Sequence, residues 1–133
     1  MPVETRVPIE HEGDIVIARQ KGRELAAARG LSRTEQTLIA TAISEVARNI
    51  VVYARRGEVV LAAVEDRGRR GVMVVARDEG PGIRDPELAM RDGYSTGKSM
   101  GMGLPGAKRL MDEFDLSSTL GKGTTVTMKK WVR

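Results

Sequence analysis

The spacing of apolar and polar positions divides the chain into elements. Residues 14–20 hold three consecutive β-branched residues, Ile15, Val16 and Ile17, in a weak alternation that predicts a strand. Residues 21–29 are rich in Ala and Leu and predict a short helix, with Gly30 as its stop. Ser32 followed three residues on by Glu35 has the form of a capping box and opens a second helix. In that helix Ile39, Ile43, Val46, Ile50 and Ala54 recur at steps of three and four, so they form one buried stripe running to about Arg56 and Gly57. Residues 58–65 and 72–77 read as the two strands of an antiparallel hairpin, with Arg67, Arg69 and Arg70 decorating its turn. Asp85-Pro86 opens a short helix. Residues 104–114 predict a helix with Leu104, Ala107, Leu110, Met111 and Phe114 facing inward. A strand over 116–120, a Gly121-Lys122-Gly123 turn and an alternating strand over 124–132 complete the chain. Helices mixed with antiparallel strands predict an α+β class, one domain over residues 1–133, with helices on one face of a sheet.

Composition narrows the function classes. A chain of 133 residues, 41% of them hydrophobic, suits one domain with a core of its own. Aromatic residues are only 3%, so the core is aliphatic and the stacking platforms of single-stranded nucleic-acid binders are missing. The net charge is +4, but the basic residues are dispersed among acids, so nucleic acid is not the expected partner. With no cysteine, disulfides and thiolate metal sites are excluded. The single His11 reads as a solvated loop or strand residue. No segment reads as long and apolar enough to span a membrane, and the N-terminus lacks the order of a signal peptide, so a cytoplasmic protein is expected.

The candidate chemistry is concentrated between Asp78 and Gly103. Asp78-Glu79-Gly80-Pro81-Gly82 leaves a strand with an acid and two glycines, which let backbone approach a ligand closely. Gly101-Met102-Gly103 precedes a helical pattern, and a glycine cluster at a helix start offers N–H groups and a positive dipole end to an anion. An acid in one loop and an anion site in another suit a nucleotide; a tight Asp-x-Gly-x-Gly turn is also an ordinary strand exit. Between them, residues 92–100 form a polar, aperiodic loop that reads as a lid closing on a γ-phosphate. Glu45 and Asn49, four apart, share the edge of the buried helix face, either as a cleft wall or as a solvated polar edge. Gly97-Lys98-Ser99 imitates the tail of a Walker phosphate loop, but Asp92 stands where that motif needs its first glycine, so a P-loop is rejected.

These features come in a fixed order: Glu45 and Asn49 on a long helix, Asp78, Gly80 and Gly82 after a strand, Gly101 and Gly103 before a helix, Gly123-Thr124 entering the last strand. In that order they resemble the Bergerat-fold ATPases, the GHKL superfamily, from about Asp14 to the C-terminus. The segments ISEVARNIVVYA, DEGPGI, GYSTGKSMGMGLPGAKRLMDEF and GTTVTMKKW look like the anti-sigma-factor serine/threonine kinases, in particular the stressosome switch kinases. The resemblance implies a Bergerat ATP-binding fold with a mixed, mostly antiparallel sheet, and ATP/ADP and Mg²⁺ as cofactors. It makes Asn49 the Mg²⁺ ligand, Glu45 the general base and Asp78 the reader of the adenine amine. Gly80 and Gly82, with Ile83 beside them, pass the base; Gly101 and Gly103, with Met102 and Leu104, meet the phosphates; Thr124 completes the adenine pocket through water. Lys98 is either a phosphate neutraliser or a solvated loop lysine, and Arg55-Arg56 are either docking residues or the charged end of a helix. The implied activity is transfer of phosphate to Ser or Thr of STAS-domain scaffold and antagonist proteins, followed by binding of an output protein such as a PP2C-type phosphatase. The alternative within the same fold is an anti-sigma factor that mainly sequesters a sigma factor.

Overall fold

The computed structural model describes residues 4–82 and 103–133. The helix expected from Asp85-Pro86, the loop over residues 92–100, and Ile83, Lys98, Gly101 and Met102 lie outside the described residues.

The chain enters as a strand, β1 (Glu4–Ile9), ahead of the first element that the hydrophobic pattern predicts. The expected strand over residues 14–20 is instead the first half of a helix, α1 (Glu12–Ala28). The N-terminus of α1 is closed by Asp14, whose Oδ2 accepts from the Glu10 and His11 N–H groups at 2.8 and 3.0 Å. His11 is the exposed residue at that cap. Helical spacing then buries Ile15, Ala18, Gly22 and Ala26, while Val16 and Ile17 stay about half exposed. Gly30 stops the helix as expected: at φ 95° its N–H reaches Ala27 O and that of Leu31 reaches Ala26 O, a Schellman closure.

The second helix, α2 (Arg33–Asn49), begins with the expected capping box, Ser32 Oγ accepting from Glu35 N–H at 3.1 Å. Its stripe is buried as far as Ile50, with Ile39 and Ile43 at 0% exposure and Val46 at 1%, while Ala54, expected in the same stripe, is only half-buried. The α-helix does not continue to Arg56: after Asn49 it widens into a π-turn, Ile50–Ala54, and Arg55 leaves it with φ 75°. The run Arg33–Ala54 is long and apolar enough to meet the length and composition test for a membrane span, contrary to the sequence expectation. Its stripe packs within the core cluster instead, as in the core helix of a globular domain.

Two long strands follow, β2 (Gly57–Asp66) and β3 (Arg69–Asp78), joined by Arg67-Gly68, so that Arg69 and Arg70, expected in the turn, instead begin β3 paired with Asp66 and Glu65. Both turn residues have positive φ, 53° and 82°, the type I′ geometry whose twist matches the strands. Helix α3 (Gly103–Leu110) is shorter than expected, and Phe114 belongs to β4 (Glu113–Thr119), where it pairs with Met128. Asp112 ends the helix by tertiary bonds: its N–H donates to Lys129 O at 3.0 Å and its Oδ2 accepts from Trp131 N–H at 2.8 Å. The buried Lys130 closes the same corner, its Nζ donating to Leu110 O at 2.8 Å. β5 (Gly123–Trp131) completes one sheet in the order β1-β2-β3-β5-β4, every pairing antiparallel. Val59, Leu61, Val72, Val74, Ala76, Val126 and Met128 point from it into the same cluster as Ile39, Ile43 and Val46, so the helices cover this face.

Candidate nucleotide site

Asp78 is the last residue of β3, paired with Gly57 on one side and Thr124 on the other. The central strand therefore delivers its carboxylate to one end of the sheet. Two glycines make room for it. A Cβ on Gly57 would lie 2.3 Å from Arg77 O and 3.0 Å from Asp78 Cβ; one on Gly123, whose φ is 131°, would lie 2.1 Å from Asp78 O. The loop that follows folds back on itself, with Asp78 Oδ1 accepting from Gly80 N–H at 2.9 Å. The outer half of the loop is held by the β4–β5 turn, where Gly121 N–H donates to Pro81 O at 2.8 Å. Gly82, at φ 77°, packs where a Cβ would be 2.4 Å from Thr119 O. Asp78 thus has one oxygen engaged within the loop, while Oδ2 has no hydrogen-bond partner among the described residues.

Thr124 stands beside Asp78 in the sheet and is half-buried. Its hydroxyl lies 2.9 Å from Ser118 Oγ, and Ser118 Oγ is 3.2 Å from Gly123 O. With the Ser118 proton on that carbonyl, the Thr124 proton goes to Ser118 Oγ, and Thr124 Oγ1 keeps acceptor capacity for a water or ligand. Ser118 was not singled out in the sequence; its only signal is its place opposite Thr124 in the β4–β5 register.

The second half of the site joins α2 to α3. Glu45 is half-buried on α2, and the backbone N–H of Gly103, the first residue of α3, hydrogen-bonds its carboxylate. Burial pushes the Glu45 carboxyl above its ordinary value, while the Arg48 cation and the Gly103 N–H pull it part of the way back. Asn49, one turn further along and also half-buried, ends α2. Gly103 has φ 41° at the head of α3, a start that glycine takes without strain. Leu104 is 4% exposed and its side chain belongs to the core, so its backbone N–H is what it offers at the helix start. Gly57 lies between the π-turn and Asp78: a Cβ on it would be 3.0 Å from both Ile50 Cγ2 and Asp78 Cβ.

A carboxylate at one end, with one oxygen engaged within its loop, and a helix N-terminus beside a half-buried acid at the other fit a nucleotide. Among the described residues no three His, Cys, Asp or Glu side chains cluster to hold a metal ion.

The family described as histidine kinase-like ATPase domain matches residues 9–130. The chain belongs to that family. These domains belong to the wider GHKL group of ATPases; among the described residues the expected mixed sheet is a single, wholly antiparallel one. The chain is similar to the serine/threonine-protein kinase RsbT of Bacillus subtilis, 50% identical over 127 residues that cover 96% of each chain. It is 34% identical over 101 residues to an anti-sigma F factor of Caldanaerobacter subterraneus subsp. tengcongensis, covering 71% of this chain and 68% of that one. Among solved structures, the RsbU and RsbW domains of a Mycobacterium tuberculosis protein superpose with a TM-score of 0.62 at 21% identity over 98% of this chain, which spans 32% of that longer one. The mycobacterial sensor histidine kinase MprB superposes with a TM-score of 0.58 at 14% identity, covering 98% of this chain and 99% of that one. At such identities the structural likeness speaks for the ATPase-family fold.

Proposed function

We propose that this ATPase-family domain is an ATP- and Mg²⁺-dependent protein serine/threonine kinase. Its substrates on this reading are STAS-domain scaffold and antagonist proteins, and after transfer it engages an output protein such as a PP2C-type phosphatase, in the cytoplasm. The observation that carries the kinase reading is the pairing of Glu45 with the head of α3. A half-buried carboxyl with a raised proton affinity, bonded to the backbone where a phosphate would sit, is suited to take the proton from a substrate hydroxyl. The 50% identity to a named serine/threonine-protein kinase over nearly the whole chain supports the same activity.

Asp78 would hold the adenine amine through Oδ2, and Thr124 would complete that pocket through water. Gly103 would offer phosphate oxygens a close approach to the start of α3, and Asn49 would give the metal one oxygen. When bound, Mg·ATP supplies the phosphoryl group and the cation that neutralises its charge. Lys98, Gly101, Met102 and Ile83 belong to the same proposal.

Mass spectrometry of a co-expressed STAS-domain protein tests this directly. Phosphoserine or phosphothreonine is expected with the wild-type chain and not with Glu45→Ala. A second reading is favoured by the identity to anti-sigma F factors: a domain that chiefly sequesters a sigma factor. Stable capture of a sigma factor in the presence of ATP, with no phosphate on any STAS protein, would select it.

A further inference from the structure

The π-turn that ends α2 makes contacts that neither the family motifs nor the proposed chemistry use. It begins directly after Asn49 and ends at Arg55, whose φ of 75° and ψ of −36° put a non-glycine residue in a sparsely populated region. Such widened turns recur at functional sites. This one carries the chain from α2 into β2, which starts at Gly57 beside Asp78. It also sets Ala54 against the nucleotide loop. A Cβ on Gly80 would lie 2.6 Å from Ala54 Cβ and 2.8 Å from Ala54 Cα. Gly80 is not among the glycines with positive φ, so its backbone conformation does not demand glycine. What demands it is the lack of space over Ala54. The same Gly80 donates its N–H to Asp78 Oδ1 at 2.9 Å and so orients the carboxylate. The contacts form a chain from Ala54 to the Gly80 backbone, to Oδ1, and so to the direction in which Oδ2 points.

We infer that Ala54 is a positioning residue for base selection: by seating Gly80 it aims the free oxygen of Asp78 at the exocyclic amine of adenine. The inference rests on reading Asp78 as the adenine contact. It requires the residue at 54 to be small, since a larger side chain displaces Gly80 and turns the carboxylate. Ala54 touches neither base nor phosphate in this role. Its effect is therefore confined to the amine, and a general loosening of the fold would not show that pattern.

The test is calorimetric titration with ADP and with purine riboside 5′-diphosphate, which carries hydrogen in place of the 6-amino group. Wild type is expected to prefer ADP by about tenfold or more, the scale of one good hydrogen bond to a charged group. Ala54→Val is expected to lose most of that preference through weaker ADP binding, with the affinity for the deamino analogue nearly unchanged. Ala54→Ser, close in size, should keep it. If Ala54→Val does not fold, Ala54→Gly serves instead: it withdraws the support under Gly80 and should also narrow the preference. A folded Ala54→Val or Ala54→Gly protein with the wild-type ratio overturns the inference and leaves the Asp78 reading standing. An equal fall for both ligands also overturns it, because that marks damage to the whole site. A wild type with no preference, or an Asp78→Asn protein that retains one, overturns the Asp78 reading and this inference with it.

Discussion

On the proposed reading, Asp78 and Glu45 are two carboxylates with opposite demands placed on them. Asp78 must stay an acceptor, and its environment supplies a backbone N–H from Gly80 to one oxygen. In Asp78→Asn the amide oxygen would keep that N–H, and the –NH₂ would then stand where Oδ2 stood, donor facing donor. ADP affinity is therefore expected to fall by about tenfold to a hundredfold, the scale of losing a hydrogen bond to a charged group, while the melting temperature of the empty protein hardly moves. Calorimetry and a thermal melt check both halves. As a general base Glu45 would exchange a proton, and its carboxyl is raised above the ordinary value of 4.5, first by burial. The folded state thus binds that proton more tightly than the unfolded one. Linkage then requires stability to fall as pH rises from the ordinary value through the raised one, and to stay lower above it. Glu45→Gln removes this pH-dependent loss, so its stability should decline less than that of wild type across that window in denaturant titrations. The same variant should keep ADP affinity and lose phosphoryl transfer by about 10²–10⁴-fold, the usual scale for a general base.

At the scale of elements, the ends of helices and strands carry most of the local information. The Ser32–Glu35 box closes α2 with bonds of 3.1 and 3.3 Å, far from the candidate site. Ser32→Ala is expected to lower unfolding free energy by about 1 kcal/mol with an unchanged denaturant slope and unchanged nucleotide affinity. The β2–β3 turn gives the opposite sign. Arg67 holds φ 53° in a type I′ turn, where asparagine is far more at ease. Arg67→Asn should raise stability by up to about 1 kcal/mol, read as a higher melting temperature. The π-turn after Asn49 is different in kind. Its Arg55 backbone is held by what surrounds it, Ile50 beneath Gly57 and Ala54 beneath Gly80, so here the element end serves the site.

For the whole molecule, the candidate site is where four parts of the chain meet: the end of α2 with its π-turn, the β3 end, the head of α3 and the β4–β5 turn. A ligand that bridges them binds the folded state alone and stabilises it by mass action. ADP with Mg²⁺ at a hundredfold over its dissociation constant is expected to add about 2.7 kcal/mol to the unfolding free energy. Asp78→Asn at the same concentration should show much less of that gain. Chelating the divalent cation should reduce it for wild type as well, if Asn49 and the phosphates share the metal. Thermal melts with ADP, ADP and Mg²⁺, and ADP with a chelator make the comparison.

What the sequence determined by itself is what a few neighbouring residues can decide. The Ser32–Glu35 cap, the Gly30 stop, the β2–β3 hairpin and the stripe of α2 are each specified within one or two turns of chain, and all were legible. The glycine-rich exit at Asp78 was legible for the same reason, although which glycine is needed for φ and which for space was not: Gly82 has positive φ, and Gly80 is crowded by Ala54. Tertiary structure decided the rest. Ile15-Val16-Ile17 favours a strand by local preference, because all three side chains are β-branched. The Asp14 cap and the packing of Ile15, Ala18, Gly22 and Ala26 into the core chose the helix. Phe114 continued a helical period, but Asp112, bonded to β5, broke the helix and put Phe114 in a strand. The meeting of Glu45 with Gly103 lies beyond any local pattern. A carboxyl's proton affinity depends on the atoms that surround it in space, and only the packing of α2 against α3 brings that backbone N–H to it.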